Sequence, residues 1–390
     1  MTVKLHWFLP TYGDSRFIVG GGHGLPAGSA GGDRDASIGY LSSIARSAEG
    51  FGFTSALTPA GAWCEDAWIT TAMIARETSN LGFLVAFRPG LVSPTLAAQM
   101  TSTFAKHAPG RILLNVVTGG EPAEQRAYGD HLDKASRYER TDDFLTIVRR
   151  LWNGESVTYS GKHISVENAT IPSAPTPTPP IYFGGSSPEA GPVAARHSDV
   201  YLTWGEPPAA VEKKIEWIRA LAAREGRTVR FGIRLHVISR DTSEQAWSEA
   251  GRLLSALDED TVTAVQSGLA RSESTGQARM RELHEAHRAS WSWKDPHTLE
   301  VAPNLWSGVG LVRGGAGTAL VGSHTEVADR IEEYKAIGID EFVLSGYPHL
   351  EELFWFGEGV IPELTRRGLY RNDIRPAPIS TGTPFVPTAR

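Results

Sequence analysis

The sequence predicts a (β/α)8 barrel, a ring of eight parallel strands each followed by a helix. Two observations carry that expectation. Short apolar runs of strand length alternate with longer stretches whose apolar residues recur at spacings of three and four, which is the pattern of parallel α/β folds. The apolar runs number eight, and each closes on a polar or glycine-rich turn. A doubly wound open sheet shares the local pattern, and the count of eight is what favours closure.

The expected strands are Val3 to Leu9, Ser55 to Thr58, Gly82 to Phe87, Arg111 to Val117, Ile181 to Phe183, Val200 to Trp204, Phe231 to Ile238 and Glu341 to Leu344. Helical patterns lie between them, such as "IGYLSSIARSAEGFG", "DAWITTAMIARETSN", "TLAAQMTSTFAKHAPG", "AAVEKKIEWIRALAAREG" and "TEVADRIEEYKAIG", several ending near glycine or asparagine. Four stretches break the rhythm. Residues 17–36 form a long glycine-rich loop. Residues 121–176 add helices and a hairpin, "SVTYSGKHISVENA", turning at Gly161. Residues 258–322 separate the last two strands by far more than an ordinary connection. Residues 369–390, rich in proline and polar groups, read as an extended or disordered tail, leaving 1–368 as one barrel domain.

Composition narrows the function. The 390 residues are 41% apolar, enough for a large core, and a net charge of −6 gives no basic footprint for nucleic acid. One cysteine, Cys64, excludes an internal disulfide, and no Cys/His cluster has zinc-site spacing, so no metal is expected. The opening "VKLHWFLP" lacks the features of a signal peptide, and no apolar run is long enough to span a bilayer. A cytoplasmic protein without a membrane partner is the expectation.

In a barrel the site lies at the C-terminal ends of the strands. The seventh strand, "FGIRLHVISR", carries Arg234 and His236 two residues apart, hence on one face. Trp204 closes the sixth strand, and Tyr347 and His349 follow the eighth. Two cation-capable groups beside Trp and Tyr make a natural anion pocket, because buried charge is costly unless met by its opposite. Glu206 and Glu351 are close in sequence and could instead be internal partners. A second candidate is "YFGGSSPEAG", where Gly184, Gly185, Ser186 and Ser187 precede a helix and could cradle a phosphate, although the same residues make an ordinary turn and cap. "GVGLVRGGAGTALVG" matches neither a P-loop nor a dinucleotide fingerprint. It reads as a hinged lid whose Arg313 reaches an anion on closing, or as a plain surface loop. Cys64 precedes Glu65 and Asp66, which disfavour a thiolate, so a polar pocket residue or small buried hydrophobe fits it better than a nucleophile.

Taken together, "WFLPTYGD", "CEDAW", "VAFRPGLVSPT", "NVVTGG", "DKASRYE", "YFGGSS", "DVYLTWGEPP", "VRFGIRLHVISR", "PNLWSGVGLVRGGAGTALVG" and "FVLSGYPHLEE" resemble the flavin-dependent alkanesulfonate monooxygenases, a branch of the bacterial-luciferase-like barrels, from residue 5 to about 355. The resemblance implies a barrel that uses reduced FMN and O2 to cleave a carbon–sulfur bond, giving sulfite and an aldehyde. It implies that Trp204, Arg234, His236, Tyr347 and His349 form the sulfonate and peroxyflavin pocket, that Cys64 is the active-site cysteine, and that Arg313 is the mobile-loop arginine. It further implies that Ser186 and Ser187 hold the FMN phosphate and that Thr118 and Tyr138 line the flavin. Reduced flavin would come from a separate NAD(P)H-dependent reductase, and the chain would form a homo-oligomer, dimer or tetramer.

Three departures bear on substrate. Ala60-Gly61-Ala62-Trp63 stands where simple-alkanesulfonate members often have Thr-Gly-Arg-Ser, Lys134 stands where they commonly have histidine, and the loop after the first strand is longer and polar. A different substrate body on an unchanged sulfonate end follows, and the sulfoquinovose monooxygenases are the best-matching subgroup, with 6-oxo-glucose as product. General alkanesulfonate or methanesulfonate oxidation, a flavin-binding protein without turnover and a deazaflavin-dependent oxidoreductase are the alternatives.

Overall fold

The computed structural model describes residues 2–18, 32–285, 291–292 and 295–372. Eight parallel strands close into a barrel: β1 Lys4–Phe8, β2 Ser55–Thr58, β3 Gly82–Phe87, β4 Ile112–Val116, β5 Ile181–Gly184, β6 Val200–Trp204, β7 Arg230–Arg240 and β8 Glu341–Ser345. Each pairs with the next in chain order, and β8 returns to β1 in the register Lys4↔Glu341, so the sheet has no seam. All eight expected strands are present. The inserted hairpin is present too, Val157–Ser160 against Ser165–Ala169, with Gly161 N–H donating to the Ile164 carbonyl at 2.9 Å.

Strand alternation sorts the side chains into two layers. Leu5, Trp7, Phe83, Val85, Leu114, Phe183, Ile233, Leu235, Val237, Phe342 and Leu344 point outward into the packing between barrel and helices. The other parity faces the barrel axis. At the N-terminal end it supplies His6, Ser55, Tyr182 and Glu341, a buried polar plug in which Tyr182 donates to Glu341 at 2.6 Å and His6 meets Ser55 at 2.7 Å. At the C-terminal end it supplies Phe8, Asn115, Arg234, His236 and Ser345. Helices start where short polar side chains can cap them: Ser37, Asp66, Ser93, Asp133 and Ser323 each accept a bond from a first-turn backbone N–H.

β7 is longer than expected. Through Arg234 its neighbour is β6 (Trp204↔Arg234), but from His236 to Arg240 the same edge pairs with Ala319–Ser323, again in parallel. This extension above the rim carries part of the segment 258–322 over the barrel mouth. The segment 308–322 expected as a hinged lid is packed in place: residues 308–322 are all buried, and Gly310 N–H donates to the Gly317 carbonyl at 2.8 Å. Its glycines permit close approach, since a Cβ on Gly317 would fall 2.6 Å from the Gly310 Cα. The helices Glu259–Leu269 and Thr275–Glu285 clamp it from above, with Gln266 donating to the carbonyls of Gly310 and Leu311 and Gln277 accepting from Gly315 N–H at 2.9 Å.

The tail begins tied to the barrel: Val3 N–H donates to the Leu369 carbonyl, and Tyr370 donates to the Gly52 carbonyl at 2.6 Å. Residues 373–390, and 19–31 of the long first loop, lie outside the described residues. Among the described residues no helix is long and apolar enough to cross a membrane.

The glycine contact yields a test. Gly317→Ala should force the two backbone strands apart at a cost of ~1–3 kcal/mol, read as a lower denaturation midpoint and faster proteolysis within 308–322.

Candidate active site

One cavity opens at the C-terminal end of the barrel, and most of the expected site residues line it: Thr118, Tyr138, Gly184, Gly185, Ser186, Ser187, Trp204, Arg234 and Arg313. It has two chemically distinct ends.

The first end is built from two arginines. Arg234, on the axis-facing side of β7, donates to the Leu235 carbonyl at 2.7 Å and to Ser345 Oγ at 2.9 Å, and its guanidinium lies over the Phe8 ring at 4.7 Å. Arg313 comes from the buried glycine-rich segment and stacks on Tyr12 at 4.7 Å, with Trp63 at 5.7 Å. Neither has a carboxylate partner among the described residues. Glu206 is taken by Lys214 and Arg279, and Glu351 by Arg34, so the two acids near in sequence do not neutralise the pocket. Burial, with Arg313 beside it, brings Arg234 down to about 9, which leaves it a cation at neutral pH. One guanidinium nitrogen of Arg313 is buried without a hydrogen-bonding partner.

His236 corrects the expectation of a protonatable anion donor. Its Nε2 donates to the Ala316 carbonyl (3.1 Å), which can only accept. Its Nδ1 therefore carries the lone pair and accepts from Ser345 Oγ (2.7 Å), the same hydroxyl that Arg234 donates to. Burial and the charges of Arg234 and Arg313 hold the ring well below its ordinary range. His236 is thus a neutral strut between β8 and the glycine-rich segment, stacked on Tyr347 with centroids 5.6 Å apart. Together with Tyr347, His349 and Cys64, it surrounds the cavity without lining it.

Sequence reasoning passed over the partner of His349. Asp14, which closes "PTYGD", is fully buried; its carboxylate accepts from His349 Nδ1 at 3.0 Å, from the His349 backbone N–H at 2.8 Å and from the Tyr40 hydroxyl. The available signal was an acid at the end of a first strand, where a barrel puts its site. Ser345 was missed for want of any such signal.

The second end gathers Thr118, Lys134, Tyr138, Ser186 and Ser187. The Ser187 hydroxyl is buried and has no hydrogen-bonding partner of good geometry, and Lys134, one of the departures noted in the sequence, brings an ammonium to the same wall. A Cβ on Gly185 would lie 2.6 Å from that of Ala190, so the turn tolerates only glycine there. An anion with several oxygens suits this cradle.

Over the mouth, two ion pairs fasten the covering helix. Arg137 on Lys134–Trp152 reaches Glu273 at 3.1 Å, and Arg279 reaches Glu206 at 3.6 Å. Glu121 and Gln277 border the opening, and burial raises the Glu121 carboxyl above its ordinary range.

Cys64 sits beside Trp63 with its thiol directed at the Pro59 and Gly61 carbonyls, and burial pushes it up to about 12. Alkylation follows the thiolate fraction, so labelling by iodoacetamide at pH 8 should run roughly a thousandfold slower than for a free thiol. A rate near that of free cysteine would contradict this placement.

A family model described as luciferase-like monooxygenase matches residues 17–341. Among solved structures, riboflavin lyase aligns at 19% identity over 95% of this chain and 93% of that chain, with a TM-score of 0.77. EDTA monooxygenase from Chelativorans sp. BNC1 aligns at 18% identity over 95% of this chain and 96% of that chain, with a TM-score of 0.72. A long-chain alkane monooxygenase aligns at 21% identity over 96% of this chain and 94% of that chain, with a TM-score of 0.69. At these identities the likeness to the solved structures carries the barrel fold alone. The match to the family model spans most of the chain, and the protein belongs to the luciferase-like monooxygenase family.

Proposed function

We propose that the protein is a two-component monooxygenase that uses FMNH2 and O2 to cleave the C–S bond of an organosulfonate, releasing sulfite and an aldehyde. The observation that carries this reading is the pair of arginines facing one cavity, Arg313 buried and Arg234 half-buried, with no carboxylate against either among the described residues. A sulfonate is anionic at any physiological pH and offers three acceptor oxygens, each charge-assisted bond contributing about 1.5–3 kcal/mol.

The cradle at the opposite end fits a flavin phosphate. Ser186, Ser187 and Lys134 would hold it, Tyr138 and Thr118 would flank the flavin, and the buried Ser187 hydroxyl, without a partner of good geometry, is the group that gains one. Reduced flavin supplies the two electrons that activate O2. The chain's own residues do the rest: Arg234 and Arg313 fix the sulfonate, Ser345 and Phe8 orient Arg234, and the clamped helices keep water out. A separate NAD(P)H-dependent reductase is the proposed source of FMNH2, and a homo-oligomer the proposed assembly.

Sulfoquinovose is the favoured substrate. Asn115, Thr118, Glu121 and Gln277 border the same cavity and can bond sugar hydroxyls. A second reading, a simple alkanesulfonate, draws on the apolar wall of Phe8, Leu57, Pro59, Ala60 and Trp63 near the arginine end.

With FMN, a reductase, NADH and O2, sulfite measured from sulfoquinovose, methanesulfonate and octanesulfonate separates the readings. Sulfite from sulfoquinovose is expected; preference for octanesulfonate would favour the second, and none from any sulfonate would defeat both. Arg234→Ala should lower sulfite release by at least ~100-fold with FMN binding kept. Lys134→Ala and Ser187→Ala should each weaken FMN by about tenfold and leave riboflavin, which lacks the phosphate, unchanged.

A further inference from the structure

The proposed reaction leaves a proton to be placed. At the carbon bearing the sulfonate, one C–H bond and the C–S bond break and a C=O bond forms. Sulfite departs with the C–S electron pair, the flavin gives up two electrons, the second oxygen atom leaves as water, and balance of charge requires one proton to be released. Some base beside the sulfonate has to take it.

The arginines are donors only. Both nitrogens of His236 are engaged, and burial holds Cys64 as the thiol. His349 is different. Asp14 is an ionised acceptor: although burial opposes it, the bonds from His349 and Tyr40 hold its carboxyl below the ordinary range. His349 Nδ1 must therefore carry a proton toward Asp14, which puts the lone pair on Nε2, and that nitrogen is buried with no hydrogen-bonding partner. Tyr347 and Tyr12 stand edge-on to the imidazole, at centroid distances of 5.2 and 6.4 Å, with their hydroxyls beside Arg313.

We infer that Asp14 is a positioning residue that fixes the tautomer of His349, and that His349 Nε2, behind the arginine wall of the cavity, is the group that receives the proton released from the substrate. The inference rests on the sulfonate reading above. The charges facing the imidazole come from four elements: Asp14 and Tyr12 after β1, Arg234 and His236 on β7, Arg313 in the glycine-rich segment, and Tyr347 after β8. Burial and the two arginines keep the ring neutral against the pull of Asp14. A sulfonate seated on those arginines cancels their charge, so substrate binding itself raises the basicity of Nε2.

The test has two arms. In flavin-free protein carrying 15N-labelled histidine, the nitrogen shifts of His349 should report a neutral ring protonated at Nδ1, and Asp14→Asn should lower its pKa. In turnover, Asp14→Asn should cut the kcat for sulfite by about 100-fold and move the acid limb of its pH profile to lower pH, because loss of the carboxylate makes the imidazole a weaker base, with FMN affinity and sulfonate KM within about twofold. Tyr40→Phe, which removes one donor to the same carboxylate, should move that limb the other way and serves if Asp14→Asn does not fold. A neutral ring protonated at Nε2, or an acid limb unmoved in the variants, overturns the inference. Absence of sulfite from the unaltered protein defeats the sulfonate reading and the proton's source with it, while the tautomer still decides whether Asp14 sets His349.

Discussion

Two guanidinium groups beside one another, Arg313 buried and Arg234 half-buried, without a carboxylate against either among the described residues, are the constraint on which the site depends. Burying one charge is unfavourable, and burying a second of the same sign next to it is more so. The barrel offsets this with carbonyls, a serine hydroxyl and the faces of Phe8, Tyr12 and Trp63, all weaker partners than an acid. The result is a positive potential in a low-dielectric cavity, which an anionic ligand relieves. Nearby titrations follow in part from it: burial first, and the two guanidiniums next, hold His236 and His349 neutral.

Alternation along β7 made half of this legible in the sequence. Arg234 and His236 share a face because they are two residues apart, and the apolar residues between and around them, Ile233, Leu235 and Val237, take the outer layer. The same parity, continued round the ring, builds the polar plug of His6, Tyr182 and Glu341 at the opposite end. What one strand cannot disclose is which group meets which across the barrel. Asp14 and His349 are 335 positions apart, and Ser345 links Arg234 to His236 only because β8 is their neighbour in the sheet. The glycine-rich segment is ambiguous for a related reason. Glycine signals both hinge and close approach, and the contact between Gly310 and Gly317 shows the second in this conformation.

The cover over the mouth is held by charge where the pocket beneath it leaves charge open. Glu206 is nearly buried between Lys214 and Arg279, so the covering helix is latched through a carboxylate that would be left with one partner if Arg279 withdrew. Arg137 and Glu273 make a second latch at 3.1 Å, with the arginine buried and the carboxylate exposed, the reverse of the Arg279–Glu206 pair. Admission of a ligand thus has a defined resistance, supplied by side chains that do not touch the arginine end.

On the proposed reading these features would be coupled through one anion. Its arrival would neutralise the guanidiniums and so remove part of what holds His349 unprotonated, while the carboxylate of Asp14 stays in place beside the ring. A neutral or cationic ligand would leave both arginines uncompensated and the imidazole a poor base. On the proposed reading, selection for a negative ligand and readiness to accept a proton would therefore arise from the same pair of cavity-facing charges.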